Sequence, residues 1–166
     1  MNNQSPAIKH LFISQAHNFV GHHGQPSGDA PSQTRMEVAC LSGCGIVGDR
    51  YFNHKPDYKG QITFFAWETF ERIRDTFPQV DFDDSIFRRN IITVGLNLNE
   101  LIGVEFEIQG VGFQGTEEAR PCHWMNKVIA EGAKSALEGF GGLRARIRSD
   151  GTLKVGPCQL QILSTR

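Results

Sequence analysis

RARIRSDGTLKVGPCQLQIL, residues 144–163, holds three short β-prone segments and no run with helical spacing. Arg144–Ile147, Thr152–Val155 and Gln159–Leu163 each read as a strand. Asp150-Gly151, between the first two, is a strong hairpin signal. The same grammar recurs upstream. Val104–Gln109 (VEFEIQ) alternates apolar and acidic residues, and Val111–Gln114 can pair with it through a turn near Gly110. Asn90–Val94 (NIITV) reads as a buried strand, and Ile8–Ser14, Arg35–Leu41 and Ile62–Phe65 are further strand candidates. Trp67, Phe70, Ile73, Arg74 and Phe77 mark a helix over 67–77 that Pro78 ends. Leu98–Ile102 suits a short helical turn. A last helix follows Cys122, breaks near Gly132 and resumes to Leu137.

Eight or nine strands with two or three non-alternating helices predict a mainly β fold. The expected form is a closed or partly closed β-barrel with helices attached, in a single domain. A doubly wound parallel sheet is excluded because helices do not alternate with strands. Residues 1–6 read as a loose tail and 7–166 as the domain. The stretches Gln15–Gln33 and Ser42–Gly60 read as long loops, a length that is often functional.

The chain has 166 residues, 39% hydrophobic and 21% charged, with a net charge of −1. That is the composition of a soluble protein with no general attraction to nucleic acid or acidic membranes. Anion recognition must come from local arginines. No stretch approaches a membrane span, and the N-terminus lacks the apolar segment of an export signal. Four cysteines in that setting are expected to be reduced thiols, in a cytoplasmic protein.

Cys122 stands out, in Ala119-Arg120-Pro121-Cys122-His123-Trp124-Met125. Pro121 suits a helix entry, which would put Cys122 at or beside the first helical position. The helix dipole and the Arg120 cation would both favour thiolate, the form that attacks electrophiles and binds soft metals. The competing reading is a cysteine that merely packs. In Phe87-Arg88-Arg89-Asn90, two arginines precede an apolar strand. Guanidinium forks there can bind phosphate or carboxylate, and an ion-paired loop is the alternative. In Gly139-Phe140-Gly141-Gly142-Leu143-Arg144-Ala145-Arg146, glycines allow close backbone approach, and Arg144 and Arg146 share one strand face.

Other motifs point away from function. Gly43-Cys44-Gly45-Ile46-Val47-Gly48 and Gly110-Val111-Gly112-Phe113-Gln114-Gly115 match the dinucleotide fingerprint literally, but neither opens a helix. His17, His22, His23 and His54 with Cys40 and Cys44 invite a zinc site. No second ligand pair has finger or ribbon spacing, so solvated or loop-structuring histidines are favoured. Cys158, after Pro157, reads as structural.

Six segments, in order, resemble the MOSC domain, the family related to the C-terminal domain of molybdenum cofactor sulfurase. They are GIVGDRYF (45–52), KGQITFF (59–65), FRRNIIT (87–93), LNELIGVEFEI (98–108), GTEEARPCHWM (115–125) and GGLRAR (141–146). The resemblance implies a β-rich barrel-like fold and one functional cysteine, here Cys122. In the mitochondrial amidoxime-reducing relatives that cysteine ligates the molybdenum of the molybdenum cofactor (molybdopterin), and an Arg-x-Asn contacts the cofactor's phosphate region. These map to Cys122 and to Arg88 and Asn90, with Arg120 and Arg144 as further cofactor-binding candidates. Many members carry a second cysteine where this chain has Ala119. No lysine site for pyridoxal phosphate is evident, so that cofactor is not expected.

The function implied is reduction of an N-hydroxylated small molecule, with a separate redox protein as electron donor. The alternative is a sulfur carrier holding a Cys122 persulfide and fed by a sulfur donor, and the second alternative is a non-catalytic binding module. Neither nucleic acid nor membrane is an expected partner.

Overall fold

Alternation builds the main sheet. Along Glu105–Ile108, Phe106 and Ile108 are fully buried while Glu105 and Glu107 stay half-buried, because successive strand side chains face opposite ways. The computed structural model describes residues 4–19 and 25–165. The chain runs through β1 (Ala7–Ile13), β2 (Gln33–Arg35), β3 (Glu37–Leu41), β4 (Gly45–Ile46) and β5 (Ile62–Ala66) into the main helix, α1 (Trp67–Thr76). It continues through β6 (Ile91–Val94), β7 (Glu105–Ile108) and β8 (Val111–Glu118) to the short helices α2 (Trp124–Val128) and α3 (Ala133–Leu137). β9 (Leu143–Ile147), β10 (Gly151–Lys154), β11 (Gly156–Pro157) and β12 (Leu160–Ser164) complete it.

The fold is mainly β, with the expected helices. Nine strands form one sheet in the order β11-β1-β6-β5-β9-β8-β7-β12, with β2 added beside β1. Its pairs are antiparallel except β5 and β6. The barrel expectation needs correction, because the hydrogen bonding does not close. β11 and β12 lie at opposite ends of the strand order, although only Cys158 and Gln159 separate them in sequence. The sheet therefore curls until the chain itself bridges its ends. β11 is only two residues long, and its Pro157 has no N–H to donate to a closing ladder.

Turn chemistry was read correctly once and wrongly once. Gln109 and Gly110 both have positive φ (51° and 79°), as a tight β7–β8 hairpin requires. Asp150-Gly151 makes no hairpin. β10 pairs with β3 in a separate three-stranded sheet, β10-β3-β4. Asp150 turns the chain away from β9 by accepting the Ser42 backbone N–H at 2.7 Å. The single strand expected over Arg35–Leu41 is split at Met36 between β2 and β3.

Adjacent residues feed two apolar cores. Phe64 and Ile91 pack on one face of the sheet with Leu11, Phe106 and Phe113. Their neighbours Phe65 and Ile92 pack on the other with Phe70, Ile73, Phe87 and Trp124, beneath the helices. Phe65 stacks on Phe87 at 4.4 Å between ring centroids. This second core fixes the loop before β6 and the start of α2, which meet at the candidate site.

Candidate functional site

Cys122 is a free, exposed thiol, so the packed alternative does not hold. It lies on a cleft of about 280 Å3 into which five arginines converge. Arg50 comes from the turn after β4, Arg88 and Arg89 from the loop before β6, Arg120 from the segment after β8, and Arg144 from β9. No carboxylate lines this cleft among the described residues. Asp49 is buried behind Arg50, 3.4 Å from its guanidinium, and Glu117 pairs with Arg144 at 3.1 Å and with Lys59. Arg120 has neither an ion pair nor a hydrogen bond among the described residues. Such a surplus of fixed positive charge suits a polyanionic ligand.

The helix contributes less than its sequence suggests. α2 has five residues and starts at Trp124, so Cys122 precedes the cap residue His123 rather than opening the helix. Only its carbonyl takes part, accepting the Met125 N–H at 3.1 Å. The local field comes instead from arginines. The Arg89 guanidinium sits at the cleft floor, where burial pulls its pKa down to about 10, and a negative Cys122 would favour its charged form. It donates to the carbonyls of Phe87 at 3.0 Å, Ala119 at 2.8 Å and Gly141 at 3.0 Å. Three chain segments, including the one that leads to Cys122, are thus tied to one side chain.

The glycine-rich motif serves the same segment. A Cβ on Gly141 would lie 2.3 Å from the Ala119 carbonyl oxygen and 2.9 Å from Pro121 Cδ. Only glycine lets this strand entry pass so close behind the Cys122 loop. The Gly141 N–H donates to Glu118 at 3.1 Å, and the Ala119 N–H to Gly142 at 2.8 Å.

Two expected cofactor ligands have other work. Arg88 lines the cleft but is buried, and its guanidinium donates to the carbonyls of Ala30 at 3.0 Å and Ala16 at 2.8 Å. Burial and Arg50 lower its pKa to about 10, so it stays charged while pinning the loop after β1. Asn90 does not line the cleft. Its amide nitrogen donates to Phe12 at 3.2 Å and Asp49 at 3.3 Å, and its oxygen accepts from the Thr63 N–H and hydroxyl. That uses all four hydrogen-bonding positions of the amide. Asn90→Ala should therefore destabilise by about 2 kcal/mol, read as a lower urea midpoint at unchanged m, and leave anion binding in the cleft intact.

The histidines resolve into different roles. Cys40 lies in the apolar core, where burial pushes its thiol up to about 12, and Cys158 is buried too. His22 and His23 fall outside the described residues. No group of three or more His, Cys, Asp or Glu side chains is placed to hold a metal ion among the described residues. His17, however, lines the Cys122 cleft beside Tyr51. Their rings meet edge to face at 4.9 Å, with His54 at 6.4 Å from His17 and Tyr58 stacked on Tyr51 at 5.4 Å.

Arg50 and Tyr51 are thus cleft residues that sequence reasoning did not select, while it raises Arg89 only as one of a pair and His17 only as a zinc candidate. Arg50 and Tyr51 belong to GIVGDRYF and Arg89 to FRRNIIT, so the motifs carried them without saying which residue faces the ligand. The arrangement offers one soft ligand atom, a ring of guanidiniums and an aromatic wall. A molybdenum cofactor matches that donor set, since it brings its own dithiolene ligands and a phosphate and asks the protein for a thiolate and cations.

The family model of the MOSC domain matches residues 22–159. No curated protein matches the chain. Among solved structures, the chain is similar to the YuaD protein from Bacillus subtilis (16% identity, TM-score 0.73, covering 96% of each chain). It is similar also to YiiM from Geobacillus stearothermophilus (12% identity, TM-score 0.67, covering 96% of this chain and 75% of the other). YiiM from Escherichia coli shows 17% identity and a TM-score of 0.62, with 94% and 71% covered. At these identities the likeness shows the fold.

Proposed function

This chain belongs to the MOSC-domain family, and from that premise we propose that it binds molybdenum cofactor in the Cys122 cleft and reduces N-hydroxylated small molecules. The observation that carries the reading is the exposed Cys122 thiol on a cleft walled by five arginines. The cofactor, when bound, supplies two-electron chemistry that removes oxygen from nitrogen. Cys122 offers it a soft ligand. Arg120 and Arg144 hold the phosphate end, Arg120 with its whole fork and Arg144 by sharing itself with Glu117. Arg89 keeps the Cys122 segment in place and sets the charge at the floor. Tyr51 gives a planar ring an aromatic face. Electrons come from a separate redox protein. No helix is long and apolar enough to cross a membrane among the described residues.

Arg120 gives the cleanest test, since its loss leaves no partner behind. Arg120→Ala, produced in a host that makes the cofactor, should retain about a tenth or less of the wild-type pterin, with charge-assisted bonds of about 1.5–3 kcal/mol removed. In cofactor-free protein its melting temperature should match that of wild type. Full pterin retention would contradict the phosphate assignment. The sulfur-carrier alternative uses the same exposed thiol. It predicts a cyanide-labile sulfur on Cys122 after incubation with a sulfur donor, seen by mass spectrometry, in a protein free of pterin.

A further inference from the structure

We propose that His17, exposed at the Cys122 cleft with His54 as its neighbouring imidazole, is the proton donor of that cleft and is reloaded directly from solvent. The proposal rests on the reductive reading above. Reduction of an N-hydroxylated compound follows R–NH–OH + 2e⁻ + 2H⁺ → R–NH2 + H2O. The N–O bond breaks, the oxygen leaves as water, two electrons arrive from the separate redox donor, and two protons must be supplied. Guanidiniums hold their protons too tightly to give them up, so the five arginines of the cleft cannot supply them. Among the described residues, His17 is the imidazole that lines this cleft.

The His17 ring is itself open to solvent, so it can be reprotonated where it stands. It meets Tyr51 edge to face at 4.9 Å, and the exposed His54 lies 6.4 Å away. Tyr51 touches both imidazoles, with His54 at 5.4 Å, and keeps them side by side. Desolvation by the cleft wall comes first in lowering the His17 pKa, followed by the facing charges of Arg50, His54 and Arg88, and Asp49 opposes them. An anionic phosphate in the cleft offsets the arginines and raises the proton affinity of His17 as ligand binds. One proton then passes from the His17 imidazolium to the departing oxygen, and solvent returns one to His17. The second proton reaches the product nitrogen from water.

The test uses cofactor-loaded protein, benzamidoxime as the N-hydroxylated probe and reduced methyl viologen as electron donor. His17→Gln should lower kcat by roughly 100-fold, the low end of general acid catalysis, with KM within about twofold. Its molybdenum and pterin content should match wild type. Free imidazole should restore turnover to His17→Gly, which a merely structural histidine would not allow. In cofactor-free protein, inorganic phosphate should shift the His17 imidazole resonance and leave that of His10, held by Asp84 on β1, unmoved.

A His17→Gln protein that turns over at the wild-type rate with full cofactor overturns the proposal and spares the reductive reading. So does an absence of imidazole rescue, or a His17 resonance indifferent to phosphate. A loaded wild-type protein that leaves benzamidoxime unreduced overturns both.

Discussion

Arg89→Met should cost about 3–5 kcal/mol of stability, because three backbone carbonyls lose a charge-assisted donor at once. The side chain fills the cleft floor, and its guanidinium serves the carbonyls of Phe87, Ala119 and Gly141 at 2.8–3.0 Å. Each carbonyl that loses its donor in a buried setting costs about 1–3 kcal/mol, and water entering from the cleft recovers part of that. Methionine replaces the packing volume but none of the bonds. Arg89→Lys keeps the charge, yet its single ammonium cannot reach the three acceptors that three separate guanidinium nitrogens serve, so it should recover less than half of the loss. Urea unfolding of the two variants measures this. Both should also hold less cofactor, because the segment from Ala119 to Cys122 loses one of its ties to the glycines before β9. An Arg89→Met protein within about 1 kcal/mol of wild type would contradict the clamp.

Arg89 also marks the limit of what the sequence discloses. The strand candidates were legible because period-two burial leaves its mark in single segments, as in Glu105–Ile108 and Leu143–Ile147. The β7–β8 hairpin was legible because its turn is local. What Asp150-Gly151 does was not, since the partner of β10 is β3, more than a hundred residues upstream. Failure to close the barrel has the same origin, a two-residue β11 that only the finished sheet defines.

At the site, Cys122 was legible from its neighbours, though α2 begins two residues later than Pro121 suggests. Which arginine meets a ligand was not legible. Arg88 and Arg89 are adjacent and chemically identical, and only the fold turns one to the carbonyls of Ala16 and Ala30 and the other to the cleft floor. Arg88 sits at φ 54°, a left-handed bend that the sequence does not announce. His17 joined the site because β1 ends beside the turn after β4, where Ser14 and Arg50 bond through their backbones at 2.7 Å.

The other large effect belongs to Cys122 itself. Cys122→Ser keeps nearly the same shape on an exposed position, so the fold should be untouched. It exchanges a soft sulfur ligand for a hard hydroxyl. Arginines that hold the phosphate are unchanged, so a small fraction of the cofactor should remain, and molybdenum and pterin should fall together because the dithiolene keeps the metal on the pterin. Molybdenum per chain should fall roughly tenfold or more, the scale on which even groups behind a metal's ligands affect affinity. Benzamidoxime reduction should vanish with it.

The most direct measurement is elemental analysis with pterin quantification on wild type and Cys122→Ser, both purified from a cofactor-producing host. Near-stoichiometric molybdenum and pterin in wild type, with both largely lost from the folded serine variant, is the predicted result. Molybdenum retained undiminished by Cys122→Ser would contradict ligation by this thiolate.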